Sequence, residues 1–205
     1  MATVVFDGNG TLFDLAPVRD AIGGPAELEA FFQRTLHSAA ALTIAGGWAP
    51  WDELTDAALA TTCAKTGLDV DPAAVLAALN ELPPMEDARA AVVAAGACAV
   101  LTNGGAESTR ALVESGGLDV ATILSCEEVR VYKPAAAPYR LARERMGDDS
   151  VLVAAHAWDV AGARAAGLRA IWVDREERHW PLAGLGPGER AGGLVEAVTL
   201  ALAAG

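Results

Sequence analysis

Four short stretches gather the groups that do chemistry beside residues that turn the chain: Val4-Val5-Phe6-Asp7-Gly8-Asn9-Gly10-Thr11, Thr102-Asn103-Gly104, Val131-Tyr132-Lys133-Pro134 and Ala154-Ala155-His156-Ala157-Trp158-Asp159. Asp7 closes an apolar run, where a carboxylate is costly unless it is hydrogen-bonded or catalytic. Gly8 and Gly10 let the backbone that follows turn and come close to a ligand. A strand-end carboxylate serves as a cap or turn former, or as a nucleophile. Thr102-Asn103-Gly104 supplies a hydroxyl, an amide and backbone donors, or else an N-cap and turn before a helix. Lys133 is a solvated surface charge or a cation near the same rim. The features coincide in position, and that is the informative point.

The elements that must position them are legible in the apolar pattern. Runs rich in Val, Ile, Leu and Ala at 3–7, 97–104, 150–156 and 169–174 end in polar or glycine-bearing turns. Alanine-rich segments of helical periodicity lie at 86–95, 106–115, 135–146 and 159–166. Continuous apolar strands alternating with helices predict an α/β fold, a parallel sheet covered on both faces. Ligands of such sheets bind beyond the carboxyl ends of the strands, where the four stretches fall.

The first gap departs from the alternation. Between 15 and 84 there is no convincing strand, but helical patterns occupy 26–42, 51–66 and 72–79. In the first, Leu28, Phe31, Phe32, Leu36 and Ala39 share one face by three-and-four spacing. The expectation is an α/β core of residues 1–14 and 85–205, with a helical cap of residues 15–84 inserted after the first strand. Pro83-Pro84 marks the return, and 194–203 reads as a closing helix.

Composition narrows the partners. Of 205 residues, 53% are hydrophobic, enough to bury a core; the net charge of −12 comes with no basic face. Nucleic acid and anionic membranes are thereby poor partners, which leaves a small-molecule substrate. Cys63, Cys98 and Cys126 form neither a disulfide framework nor a zinc motif, and no apolar run reaches the roughly 18 residues of a membrane helix. A cytoplasmic setting is the expectation, and the cap's apolar surface leaves a homodimer open.

In order, FDGNGTLFD, LTNG, VYKP and VAAHAWDVAGARAAG resemble the motifs of the haloacid dehalogenase superfamily of hydrolases, over about residues 3–175. The resemblance implies a Rossmann-like core with a helical cap, and Asp7 as a nucleophile that forms a covalent ester with substrate. Phosphatases of the superfamily carry a second Asp two residues after the nucleophile. Asn9 holds that place here and exchanges no proton near neutral pH, so a general acid/base contribution of about 10²–10⁴-fold is unavailable. The usual metal-holding acids of the last motif align with Ala154 and Ala155, followed by Asp159, a poor donor set for a hard cation. No metal or other cofactor is expected; Mg²⁺ enters only under the alternative of a phosphatase of small phosphorylated metabolites.

The chain is more similar to the metal-free 2-haloacid dehalogenase branch, in VYKP, in Tyr139 six residues beyond Lys133, and in Ala157-Trp158-Asp159. That resemblance implies displacement of halide from a small 2-substituted carboxylic acid by Asp7. Lys133 would hold Asp7 ionised and pair with Asp159, and Asp159 with its neighbours would orient the hydrolytic water. Thr11, Thr102 and Asn103, with Asn9 beside them, would orient the substrate carboxylate or the nucleophile. Phe32 stands where the branch has a halide-binding Arg. Arg34 lies two residues on, a rotation of about 200°. It is a substitute if the cap helix is shifted, and otherwise a solvent-facing charge. Ala154 and His156 replace the branch's Ser and Asn. His156 either orients or deprotonates water, or it caps the next helix or satisfies a core carbonyl. Trp48, Trp51 and Trp158 line an apolar pocket or simply pack. A non-catalytic binding protein on a degenerate scaffold is the remaining alternative.

Overall fold

The computed structural model describes residues 2–175 and 177–203. Its centre is a six-stranded parallel sheet in the order β3-β2-β1-β4-β5-β6. The strands are β1 (Val4–Asp7), β2 (Cys98–Thr102), β3 (Thr122–Ser125), β4 (Val151–Ala154), β5 (Arg169–Val173) and β6 (Glu189–Ala191). This is a Rossmann-like α/β fold. β1 lies between β2 and β4, and the connections turn in opposite directions on either side of it, so the crevice beyond Asp7 is the topological switch point at which such sheets bind ligands.

Strand residues alternate between two apolar layers, as the two-residue period of a strand dictates. Val4, Phe6, Val100, Val153 and Ile171 face a core shared with helices α5 (Ala88–Ala95) and α9 (Leu194–Ala203). Val5, Leu101, Leu152, Ala154 and Trp172 face the opposite core, shared with α7 (Ala136–Met146) and α8 (Ala157–Ala165). Helix α6 (Ala106–Ser115) follows β2.

Four helices, α1 (Ala16–Ile22), α2 (Pro25–Ile44), α3 (Trp51–Thr66) and α4 (Pro72–Leu79), are inserted between β1 and α5. The chain leaves and re-enters the sheet layer side by side, with Asp14 N–H donating to Pro83 O at 2.8 Å and Met85 N–H to Leu12 O at 2.7 Å. A second clasp sits on the far side. Tyr132 Oη donates to Ala49 O at 2.7 Å, its backbone N–H donates to Thr43 Oγ1 at 3.2 Å, and its ring stacks on Trp48 at 4.5 Å. Among the described residues, no helix is long and apolar enough to cross a membrane.

Four elements lie outside the sequence expectation, one of them a 3₁₀ turn at Cys126–Glu128. β3 and β6 are edge strands of four and three residues, too short for an apolar run, and Glu189 and Arg190 of β6 are exposed. α1 spans seven residues, about two turns, and buries only Val18 and Ile22.

Candidate active site

β1 delivers Asp7 to the sheet edge, where its carboxylate is nearly sealed, 5% exposed. Lys133 Nζ donates to Asp7 Oδ1 at 2.7 Å, to Asp159 Oδ2 at 2.7 Å and to Leu101 O at 3.0 Å. All three ammonium protons are thereby used. Tyr139 Oη donates to Asp159 Oδ1 at 2.6 Å, completing a buried chain Asp7–Lys133–Asp159–Tyr139.

Burial opposes ionisation of Asp7, yet the Lys133 ammonium and His156 outweigh it and hold its carboxyl well below the usual carboxylate range. Burial likewise favours neutral Lys133, but Asp159 and Asp7 override it and raise its pKa. For Asp159 burial dominates, Lys133 opposes it, Asp7 adds to it, and the net direction is upward. Burial, reinforced by Asp159, pushes Tyr139 well above its ordinary value, so it is a proton donor here.

The other Asp7 carboxylate oxygen is equally well held. Thr11 Oγ1 donates to Asp7 Oδ2 at 2.7 Å and accepts from Ala155 N–H at 3.0 Å. His156 Nδ1 lies 3.1 Å from Asp7 Oδ2. His156 occupies the N-cap of α8 but makes no side-chain capping bond; Glu177 accepts from Ala157 N–H at 3.2 Å in its place.

Asn103 turns its Oδ1 toward the Lys133 N–H at 3.0 Å and the Cys126 thiol at 3.2 Å. Its Nδ2 donors are thus the part of the amide left for the cavity. Burial pushes the Cys126 thiol up to about 12, which leaves it no thiolate to attack with.

Above Asp7 is a cavity of about 30 Å³, room for roughly two waters or a few heavy atoms. The core side contributes Asp7, Asn9, Thr102, Asn103, Gly104, Lys133, His156 and Trp158; the cap contributes Phe32, Leu36 and Trp51. A polar cleft of about 200 Å³ adjoins it between α3, α4 and α6, sharing Asn9, Trp51, Thr102 and Gly104.

Several sequence-level candidates fall elsewhere. Arg34 is carried to α3, where its Nε donates to Thr62 Oγ1 at 3.2 Å, because two residues along α2 turn it away from the face bearing Phe32. Tyr139 and Asp159 are both 0% exposed behind Lys133. The Tyr139 hydroxyl is spent on Asp159, and both side chains lie behind Lys133, outside the lining of the cavity. Thr11, also sealed, is bonded to Asp7 Oδ2. Trp48 packs on Tyr132, whereas Trp51 and Trp158 line the cavity. Glu177 escaped sequence reasoning because it caps α8 from 20 positions downstream and carries no local signal.

The residues present do not suit a hard cation. Lys133 Nζ occupies the gap between Asp7 and Asp159, and among the described residues no group of three or more His, Cys, Asp or Glu is placed to hold a metal ion.

The family model for haloacid dehalogenase-like hydrolases matches residues 1–167. (S)-2-haloacid dehalogenase 1 of Pseudomonas sp. (strain CBS-3) is 34% identical over 190 residues, covering 83% of this chain and 83% of that protein. Haloacetate dehalogenase H-2 of Moraxella sp. (strain B) is 29% identical over 190 residues, covering 84% of this chain and 85% of that protein. Among solved structures, L-2-haloacid dehalogenase from Xanthobacter autotrophicus with chloropropionic acid covalently bound matches at a TM-score of 0.87 and 25% identity, covering 98% of each chain.

Proposed function

The chain belongs to the haloacid dehalogenase-like hydrolase family and is a hydrolase, and from that premise we propose that it cleaves the carbon–halide bond of a small 2-haloacid through an ester on Asp7. The observation that carries this reading is the Asp7 carboxylate itself. It is held ionised by Lys133 at 2.7 Å beneath a cavity of a few heavy atoms, with Asn9 rather than a second acid beside it.

The Asp7 carboxylate attacks the halogen-bearing carbon; an O–C bond forms as the C–halide bond breaks, and the halide takes the bonding pair. This displacement needs no proton on the leaving group, so an amide at position 9 is no impediment. Phosphate monoester cleavage would require an acid there, and its metal would compete with Lys133 for the space between Asp7 and Asp159.

In-line displacement sends the halide to the side away from Asp7, toward the cap residues Phe32, Leu36 and Trp51. Ring edges carry partial positive charge and Asn103 Nδ2 offers donors, a weaker cradle than a guanidinium. The substrate carboxylate is drawn to the cationic side of the site, Lys133 and His156, with Thr102 and Asn103 orienting it.

The test is chloride release from racemic 2-chloropropionate, with and without EDTA. Release is expected to be insensitive to the chelator and to fall by about 10⁴–10⁶-fold in Asp7→Asn, the scale of losing a covalent nucleophile. Undiminished release in Asp7→Asn would remove Asp7 from the mechanism.

A further inference from the structure

An ester on Asp7 must be hydrolysed, and the geometry restricts which group can take the proton from the attacking water. Asp159 is sealed, with Oδ2 bound to Lys133 and Oδ1 bound to Tyr139. Thr11 is sealed as well, its hydroxyl spent on Asp7 and Ala155 N–H. His156 differs on both counts: its side chain is 25% exposed, it lines the cavity, and its Nδ1 lies 3.1 Å from Asp7 Oδ2.

The place of the ring is built into the fold. It stacks on Trp158 at 5.5 Å and 25°, and it fills the space that Gly10 leaves open, where an added Cβ would lie 2.7 Å from His156 Cε1. Glu177 relieves it of capping α8. The charged groups around it are Asp7 from β1, Lys133 from the segment before α7, Asp159 from α8 and Glu177 from the segment after β5.

We propose that His156 is the base of the second half-reaction, taking a proton from the water that attacks Asp7 Cγ once Asp7 carries the substrate carbon. This assignment rests on the ester mechanism above. In the free enzyme burial opposes a charged ring, but the hydrogen bond and charge of Asp7 prevail and keep His156 protonated beyond the usual pH. Esterification cancels the Asp7 charge, while Lys133 continues to repel a second cation. The ring then releases its proton to solvent alongside the halide and becomes a base when a base is first needed.

The atoms balance. Water adds its oxygen to Cγ as one of its protons passes to His156. The tetrahedral intermediate expels the alkoxide, which takes a proton from His156 and leaves as the 2-hydroxy acid. The Asp7 carboxyl left behind returns its proton to His156. The cycle consumes one water and releases one halide, one hydroxy acid and one proton.

The experiment is rapid-quench turnover of racemic 2-chloropropionate by the wild type and His156→Gln, following chloride and the mass of the Asp7 peptide. The variant is expected to stop at about one chloride per active site and stall as the ester, its decay slowed by about 10²–10⁴-fold relative to the wild type. In the wild type the ester's decay should quicken with rising pH and level off above the titration of a single group. Ester decay in His156→Gln at the wild-type rate would overturn the assignment. If the variant gives no burst, a wild-type ester decay that is flat between about pH 5 and 9 would do so. A wild type that neither releases chloride nor gains mass at Asp7 instead refutes the ester mechanism, a different outcome from an ester that forms and hydrolyses without His156.

Discussion

Lys133 Nζ and Asp159 Oδ2 lie 2.7 Å apart, with the lysine side chain 1% exposed and the aspartate 0%. The same ammonium is 2.7 Å from Asp7 Oδ1. One buried cation therefore serves two buried carboxylates, an arrangement tolerable only because every partner is hydrogen-bonded.

Removing Lys133 should expose that dependence. In Lys133→Met two carboxylates lose their counter-charge, and such losses cost about 3–5 kcal/mol. Urea unfolding at neutral pH should show that deficit. It should shrink in acid, where the stranded carboxylates are protonated, and chloride release should be lost because nothing then fixes Asp7 Oδ1 beneath the cavity. A variant as stable as the wild type would mean the pair carries no structural load.

The Asp7–His156 contact gives a pH dependence with a definite sign. The Asp7 pKa is lowered from 3.8, so its contribution is present above that value and is lost as pH falls through the lowered one. The His156 pKa is raised from 6.5, so its contribution is full below 6.5 and is lost as pH rises through the raised value. The stability difference between wild type and His156→Gln should be about 1.5–3 kcal/mol near pH 5.5, as for a charged hydrogen bond, and should fall to about 0.5–1.5 kcal/mol once the pH has risen above the raised value. Chemical denaturation at the two pH values measures it; a constant difference would contradict a charged ring.

Phe32 is an α2 side chain positioned to limit the length of a substrate. It closes the cavity from α2, braced edge-on by Phe31 at 5.7 Å between ring centres. A cavity of a few heavy atoms admits two- or three-carbon acids more readily than longer ones. In Phe32→Ala the ratio of kcat/KM for 2-chlorobutyrate to that for chloroacetate should rise by about 10–200-fold, the span that a methylene commands in an apolar pocket. An unchanged ratio would show that Phe32 does not limit substrate length.

These sites were readable from the sequence to different depths. Asp7, Thr102 and Asn103 end apolar runs or follow them directly, so their place at one sheet edge follows from strand period and parallel topology. From its own stretch Lys133 was legible only as a cation near that edge; its pairing with Asp7 and Asp159, partners 126 and 26 positions away, came from the resemblance alone. His156 left two readings open because the choice between capping α8 and acting on water turns on Glu177, whose approach depends on the path of the chain after β5. Helix rotation set Phe32 and Arg34 on different faces, since each residue steps by about 100°, but the contact of Arg34 with Thr62 on α3 depended on how the cap helices pack. The edge strands β3 and β6 were not legible, because three or four residues that bury only one side carry little pattern.

Gly162 is the most demanding position in the support of the site. It lies in α8 where the helix crosses the Lys133-Pro134 segment. An added Cβ would come within 2.6 Å of Pro134 Cβ, 2.7 Å of Pro134 O and 2.7 Å of Tyr139 Oη. An exposed helical Gly→Ala change would gain about 0.5–1 kcal/mol from backbone entropy. Here that gain is outweighed, because the obstructing atoms are backbone, a proline ring and a sealed phenol, and overpacking costs about 1–3 kcal/mol. Any shift that relieves the clash moves Tyr139 Oη from Asp159, or Pro134 and with it Lys133. Gly162→Ala should therefore lower the midpoint of thermal unfolding and also reduce the chloride burst. Gly186→Ala, with nothing within 4 Å of its added Cβ, should stay within about 0.5 kcal/mol of the wild type. A Gly162→Ala protein that unfolds like the wild type and keeps its burst would show that α8 can retreat without disturbing Lys133.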